Sequence, residues 1–539
     1  MSTDPHLQLL PKGDEPLAAR VVVTAAQMQA IEARLFEGGI PVAALMEKVA
    51  GRIAAWVMQR FPLPRDRGLT VGIFVGPGHN GGDALVVARE LFHRGYGVRL
   101  WCPFSRLKPL TDAHAAYARH LGIPWVESVA AIADCDVVID GGFGFGLDRP
   151  IQGDLAAAIA QLNQGRAHRI SIDLPSGLQT DSGEPLGIAV QAHQTLCLGL
   201  WKRGLLQAAA LPWCGAVEVL PFDIPDRDIQ AVLGDAPLTQ GISAAAVRSR
   251  LPLGRSATAH KYTVGSLLVV AGSRQYAGAA LLAGRGAIAS GVGMVTLVVP
   301  ERLHLTAVAQ LPEALVHGAP ETPTGAIAQL PTDLDLHRYD AIAAGPGLTQ
   351  SVPNLLDPLL ASDRPLILDA DALNLLALQS PVDTLAARSG PTVLTPHLGE
   401  FRRLFPNILD GAADATAAAQ EAAIAAGATV LLKGARTAIA HPDGQLWLNR
   451  HSTPALARGG SGDVLTGLIG GLAAQLCCQA QDRDPALALL DAAIAGTGWH
   501  AQAAIAIAQR ETELSASPSR LVEQLRLSLG ETTLPNHSP

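Results

Sequence analysis

The sequence predicts an α/β protein of two domains, each built on a mostly parallel sheet with helices on both faces. Three observations carry this. Short apolar runs alternate with helical patterns along most of the chain. Runs that are apolar throughout, rather than at every second position, belong to strands buried on both sides. The alternation halts in a stretch rich in Pro, Asp and Gly (223–242) and then restarts. Finally, 539 residues leave room for more than one domain at roughly 100–200 residues each.

Residues 1–22 read as a polar tail containing proline. Thr24 caps a first helix, and Gln27 completes a capping box. A second helix follows in PVAALMEKVAGRIAAWVMQRF, with Pro41 near its first turn. The first series of strands is TVGIFVG (70–76), VRLWC (98–102), DVVID (136–140), RISID (169–173), TLCLGL (195–200) and AVEVLPF (216–222). The segment ALVVARELFHRG (84–95) is a helix between the first two. The second series is SLLVVAG (266–272), MVTLVV (294–299), DAIAAG (340–345), PLILDA (365–370), TVLTP (392–396) and TVLLKG (429–434). VLTGLIGGLAAQL (464–476) is the last strong helix. The apolar stretch Val464 to Cys478 is interrupted by Gly, Thr and Gln, and is read as a core helix too short to span a bilayer. Residues 530–539 are expected to be a disordered tail. The domains are placed at 24–230 and 240–530.

Composition narrows the function. Hydrophobic residues are 48% and charged residues 16%, which argues against global disorder. Aromatics are only 4%, so the cores must rest on Ala, Val, Leu and Ile. A net charge of −8 weighs against a nucleic-acid binder held by phosphate contacts. The six cysteines form no C-x-x-C pair, so neither a zinc site nor a redox dithiol is signalled, and a reducing cytoplasm fits. The start, MSTDPHLQLLPKGDEP, lacks the pattern of a signal peptide, and no membrane association is expected. Lysine is scarce, six of 40 basic residues, so a lysine inside a motif draws notice.

Strand 70–76 runs into GPGHNGGD (76–83) and a helix. Glycines let the backbone approach a bound group, and a helix N-terminus offers free N–H groups to an anion. The loop is neither a Walker A loop nor G-x-G-x-x-G, and by itself it reads equally as a tight turn. Two further strands end in carboxylates: Asp140, before GGFGFGLDRP (141–150), and Asp173, in DLPSG (173–177). In open parallel sheets ligands bind outside the carboxyl ends of strands, so these turns converge. Asn80, Asp140 and Ser176 can offer hard oxygen ligands to a monovalent cation.

GPGHNGGDALVVAREL, the DGGFGFGL turn, DLPSG and the upstream LMEKVAG resemble the YjeF N-terminal domain, the NAD(P)HX epimerase family, over about residues 24–230. The resemblance implies a Rossmann-like three-layer domain that interconverts the R and S forms of NADHX and NADPHX, the hydrated cofactors. It implies K+ at Asn80, Asp140 and Ser176. It places the damaged nucleotide against His79, Asn80, Gly81, Gly82 and Asp83, against Gly144, Phe145, Gly146, Leu147, Asp148, Arg149 and Pro150, and against Asp173. Epimerisation opens and recloses the water adduct at carbon 6, which needs a proton carrier; Asp173 is the candidate. His79 and Ala84 depart from the family's usual Asn and Gly.

In the second domain a Gly-Ser-Gly-Asp turn, within GGSGD (459–463), leads into the strongest helix. Such a turn stacks N–H donors where negative charge develops and sets a carboxylate within reach of a hydroxyl, as phosphoryl transfer to an alcohol requires. Lys433 and Thr437 follow a strand and can hold nucleotide phosphates. His397, in TPHLGE, reads alone as a structural loop histidine.

With HKY (260–262), AGAAL (277–281) and GPG (345–347), these motifs resemble the ribokinase-like fold and, within it, the ADP- or ATP-dependent NAD(P)HX dehydratases, over about residues 240–530. The resemblance implies that Lys433, Gly434, Ala435, Arg436, Thr437 and Gly462 bind the adenine nucleotide, with Mg2+ accompanying ADP. Ala279, Gly347, His397 and Asp463 would face the hydrated cofactor. Asp463 is the expected base, ADP is expected to become AMP, and a homo-oligomer is expected. Tyr262, Thr349 and Arg458 depart from the family's usual Gly, Gly and Thr. Two rival readings stand beside this one: a kinase for a vitamin or sugar alcohol on the same scaffold, and a catalytically inert binding module like those of mRNA-decapping scaffolds.

Overall fold

The computed structural model describes residues 15–64, 68–236, 238–479 and 484–531. It divides into two compact units, one over residues 16–239 and one that joins Glu15 to the residues from 240 onward.

The first unit holds a seven-stranded sheet. From one edge its strands are Trp125–Val126, Gly97–Trp101, Thr70–Val75, Val137–Gly141, His168–Ile172, Gln194–Leu198 and Ala216–Leu220. All neighbours pair in parallel. Strand order reverses between Thr70–Val75 and Val137–Gly141, so the crevice at their carboxyl ends is the natural ligand site. The predicted strands are all present, shifted by a residue or two. The helix expected at 84–95 begins earlier, at His79–His93, so His79 to Asp83 form its first turn rather than a loop before it.

The expected polar tail is shorter than residues 1–22. Residues 1–14 lie outside the described residues, but Leu17–Arg20 is helical and Val22–Val23 pairs in parallel with Trp201–Lys202. Thr24 then caps the helix Ala25–Glu37: its Oγ1 accepts from Gln27 N at 3.2 Å, and Gln27 Oε1 accepts from Thr24 N at 2.9 Å. Met28 and Ile31 bury one face of this helix in the core.

The second unit holds a ten-stranded sheet. Its parallel portion runs Thr429–Leu432, Thr392–Leu394, Leu366–Leu368, Ala341–Ala344, Ser266–Val270, Met294–Pro300 and Leu315–Ala319. Order reverses between Ala341–Ala344 and Ser266–Val270. The sheet is not wholly parallel: Ala438–Ala440 and Leu446–Asn449 extend one side antiparallel. The helix Ser461–Gln479 is long and apolar enough by length and composition to cross a membrane, contrary to the expectation that it is too short. Residues Val464 to Leu476 are nonetheless buried in the protein's own core. The last helix reaches Glu531, and the remainder of the expected tail lies outside the described residues.

Candidate functional sites at the carboxyl ends of two sheets

In the first unit the two glycine turns meet. A Cβ on Gly76 would stand 1.7 Å from the Gly142 carbonyl oxygen, so only glycine permits this approach. A cavity of about 950 Å³ opens beside them. His79, Asn80, Asp83, Gly144, Phe145, Gly146, Leu147, Asp148 and Asp173 line it. Gly81 and Gly82 do not. They pack the first turn against Gly76 and Met46, where a Cβ would stand at 2.0 and 2.6 Å. Arg149 and Pro150 line a smaller cavity of about 380 Å³, which shares Pro77, Phe143 and Leu147 with the larger one.

Asp140 and Ser176 are fully buried beneath the cavity. Asp140 Oδ1 accepts from Gly142 N at 3.2 Å and Ser176 Oγ at 2.5 Å; Oδ2 accepts from Ser171 Oγ and Ser176 N, both at 2.8 Å. Ser176 Oγ in turn accepts from Phe143 N at 2.7 Å. Asp140 thus pins the turn that carries Gly144 to Gly146. Ala84 is accommodated without displacing it: the methyl fills the space a Cβ on Gly141 would take.

Asp173 sits at φ +67°, a left-handed conformation that aspartate tolerates better than most residues and that clusters at functional sites. Its Oδ1 accepts from Leu198 N at 3.1 Å and from Lys202 Nζ at 2.5 Å. Its Oδ2 has no donor among the described residues and lies 3.4 Å from where a Gly144 Cβ would be, as does Asn80 Oδ1. Lys202 is wholly buried and 5.9 Å from the Phe145 ring centroid. Glu32 lines the same cavity, and burial pushes its carboxyl up to about 7, with Lys202 opposing and Asp173 adding to the rise. Burial, Asp173 and Glu32 likewise hold Asp83 well above the usual carboxylate range. Burial, then Lys108, lowers His79 and favours its neutral form. Sequence reasoning missed Glu32 and Lys202; the scarcity of lysine was the one signal available for Lys202.

In the second unit, Asp369, Thr395 and Lys433 follow three adjacent strands. Asp369 Oδ1 accepts from Lys433 Nζ at 2.6 Å and Thr395 Oγ1 at 2.8 Å, and Oδ2 accepts from Thr466 Oγ1 at 2.7 Å. Lys433 reaches the first turn of Ser461–Gln479: a Cβ on Gly462 would stand 3.6 Å from its Nζ. Asp463 follows, its carboxyl pushed up to about 6 by burial and then by Asp369, with Lys433 opposing. His500 is buried beneath this turn with Nε2 3.0 Å from the Ser461 carbonyl oxygen, and burial lowers it to about 4. Lys433 to Thr437 join Thr429–Leu432 to Ala438–Ala440, with Gly434 and Ala435 exposed and Arg436 and Thr437 half-buried. Arg436 donates to the Arg450 carbonyl.

Ala279 and Gly347 adjoin at the strand reversal, where a Cβ on Gly347 would stand 3.0 Å from the Ala279 Cβ. His397 is exposed and caps the helix Leu398–Leu404, with Nδ1 accepting from Gly399 N and Glu400 N at 2.9 and 3.2 Å. It also bridges Lys433 through the backbone. Asp369 and His500 were not singled out in the sequence, although Asp369 ends an apolar strand just as Asp140 and Asp173 do.

Comparison with known proteins agrees with this division. Residues 42–204 match the family described as YjeF-related protein N-terminus, and residues 267–527 match the one described as NAD(P)H-hydrate dehydratase. A bifunctional NAD(P)H-hydrate repair enzyme from Thermosynechococcus vestitus is 51% identical over 507 residues, 94% of this chain and 96% of that one. The enzyme of the same description from a Synechocystis species is 51% identical over 509 residues, 94% of each chain. A crystal structure of the ADP/ATP-dependent NAD(P)H-hydrate dehydratase from Bacillus subtilis, with ATP and Mg2+, is 36% identical and covers 53% of this chain and 96% of that one, with a TM-score of 0.43.

Proposed function

The chain belongs to the bifunctional NAD(P)H-hydrate repair enzymes, and we propose that its two sites divide the work between them. The first unit exchanges the R and S forms of NADHX and NADPHX, with Asp173 Oδ2 as the proton acceptor facing the substrate. Lys202, bonded to Oδ1, holds that carboxylate with Oδ2 turned toward the cavity. Asn80 and Asp83 orient the ring, and the Gly144–Asp148 turn closes over the nucleotide.

K+ suits Asn80, Asp140 and Ser176. All three offer oxygen, a single carboxylate matches a single charge, and Ser176 Oγ, at 2.5 Å, is held against Asp140 Oδ1. The ion would supply electrostatic anchoring for the Phe143 turn. The hydroxyls of Ser171 and Ser176 can turn their hydrogens away from Asp140 to make room.

The second unit dehydrates the S form at the expense of ADP. Asp463 takes the proton of the carbon 6 hydroxyl as its oxygen attacks the terminal phosphorus of ADP, and AMP leaves. Carbon 5 then loses a proton, the carbon 6–oxygen bond breaks, and phosphate departs to leave NADH or NADPH. Phosphorylation is needed because hydroxide is a poor leaving group. Lys433 and the backbone N–H groups at the start of Ser461–Gln479 neutralise the charge developing on the phosphoryl oxygens. The described residues hold no cluster of three or more His, Cys, Asp or Glu placed for a metal, so Mg2+ would enter on the nucleotide's phosphates.

The convergence of Lys433, paired with Asp369, and of Asp463 on one helix start carries this reading and favours it over an inert binding module. Hydrated NADH mixed with the protein and ADP should regain the absorbance of reduced nicotinamide, with AMP formed in equal amount. Phosphorylation of a vitamin or sugar alcohol, with no regain, would instead support the kinase reading.

A further inference from the structure

We propose that Glu32 is the second catalytic residue of the epimerase, the acid that works opposite Asp173 as base; this rests on the epimerase reading above. Glu32 lies on the helix Ala25–Glu37, whose Gln29, Glu32, Ala33 and Phe36 line the cavity. The parallel pairing of Val23 with Lys202 brings the start of that helix beside the lysine that holds Asp173. Its carboxyl is half-buried at the cavity wall and makes no hydrogen bond with any described residue, so it is available to a ligand in the cavity.

The need for a second proton carrier follows from Asp173. Opening the hydrate moves one proton off the carbon 6 hydroxyl and delivers one to the ring nitrogen. A free carboxylate can do both with its two oxygens. Here Oδ1 is occupied by Lys202 and Leu198 N, leaving Oδ2 alone.

The charges around the cavity supply the complementary proton. Glu32, Asp83, Asp148 and Asp173 line it together with His79, Lys108 and Lys202, and the Lys202 ammonium is spent on Asp173 and the Leu198 carbonyl. Like charges in a partly closed space raise each other's proton affinity. Burial places Glu32 at about 7, poised between its two states at neutral pH, and raises Asp83 well above the usual carboxylate range.

The step balances. Asp173 Oδ2 takes the hydroxyl proton, a carbon 6–oxygen double bond forms, and the carbon 6–nitrogen bond breaks. The bonding pair goes to the ring nitrogen, which takes the proton of Glu32. The open-chain aldehyde turns about the carbon 5–carbon 6 bond. The nitrogen then attacks the other face, Glu32 takes its proton back, and Asp173 returns its own to the oxygen. No electron or proton is gained or lost.

The test follows conversion of pure R hydrate to S by chromatography with the full chain and no ADP, so that dehydration is silent. Glu32→Gln should lower kcat by about 100-fold or more while KM changes little, the usual size of a general-acid contribution. The wild-type rate should fall as pH rises through about 7, because the donor must be protonated. That limb should be missing in Glu32→Gln and kept in Glu32→Asp. A Glu32→Gln rate within about tenfold of wild type would overturn the assignment, as would a wild-type profile flat across that range. The wild-type profile decides even if the glutamine variant does not fold. A wild-type chain that fails to convert R to S would instead sink the epimerase reading itself.

Discussion

Asp140, Asp173 and Asp369 each end an apolar strand, yet their surroundings give them different work. Asp140 accepts protein donors on both oxygens and fixes a turn, Asp369 holds Lys433 and two threonines, and Asp173 Oδ2 accepts none among the described residues. Asp140 and Asp173 are marked in the sequence as strand-end acids and Asp369 is passed over; sequence alone cannot separate these roles, because the separation rests on donors far along the chain, such as Ser176, Lys202 and Thr466. Asp463 is the simpler case, marked by its own glycine-rich turn. With its carboxyl pushed up to about 6, a base at this position is half ionised there and fully ionised at higher pH. The dehydration rate under saturating ADP should therefore rise with pH through about 6 and level off above it. A rate that climbed as pH fell would remove Asp463 as the base. His500 and Glu32 were invisible in the sequence because each is a single polar residue on an otherwise ordinary helix, with no motif around it.

At the scale of elements, the site in the second unit depends on how closely two helices approach. Ala277–Ala289 meets Ser461–Gln479 backbone to backbone: a Cβ on Gly467 would stand 1.8 Å from the Ala283 carbonyl oxygen, and one on Gly286 would stand 2.2 Å from that of Val464. Neither neighbour is a side chain that can swing away. Gly467→Ala should therefore push the helix outward, costing about 1–3 kcal/mol and displacing Asp463 from Lys433. Thermal unfolding and dehydratase assays of that variant should both fall, while conversion of R to S stays at its original rate. Strands buried on both faces were legible because their whole length is apolar. Leu315–Ala319 was missed because it is half-buried, and Ala438–Ala440 and Leu446–Asn449 were missed because they are too short to show a pattern. Thr349 sits at φ +67°, which gives a backbone reason for the glycine usual at that position.

At the scale of the whole molecule, each unit carries its own core, its own strand-order reversal and its own lysine–carboxylate pair. The linker composition and the restart of alternation made the division readable in the sequence, and the two aspartates proposed as proton acceptors, Asp173 and Asp463, fall one in each unit. In the proposed function, two independent sites act in succession on one damaged cofactor. The most direct measurement compares Asp173→Asn and Asp463→Asn chains with pure R or pure S hydrate, each with and without ADP. Asp173→Asn should dehydrate S at the wild-type rate and leave R unconverted, and Asp463→Asn should equilibrate R with S and release no AMP. Loss of both activities in either folded variant would contradict the claim.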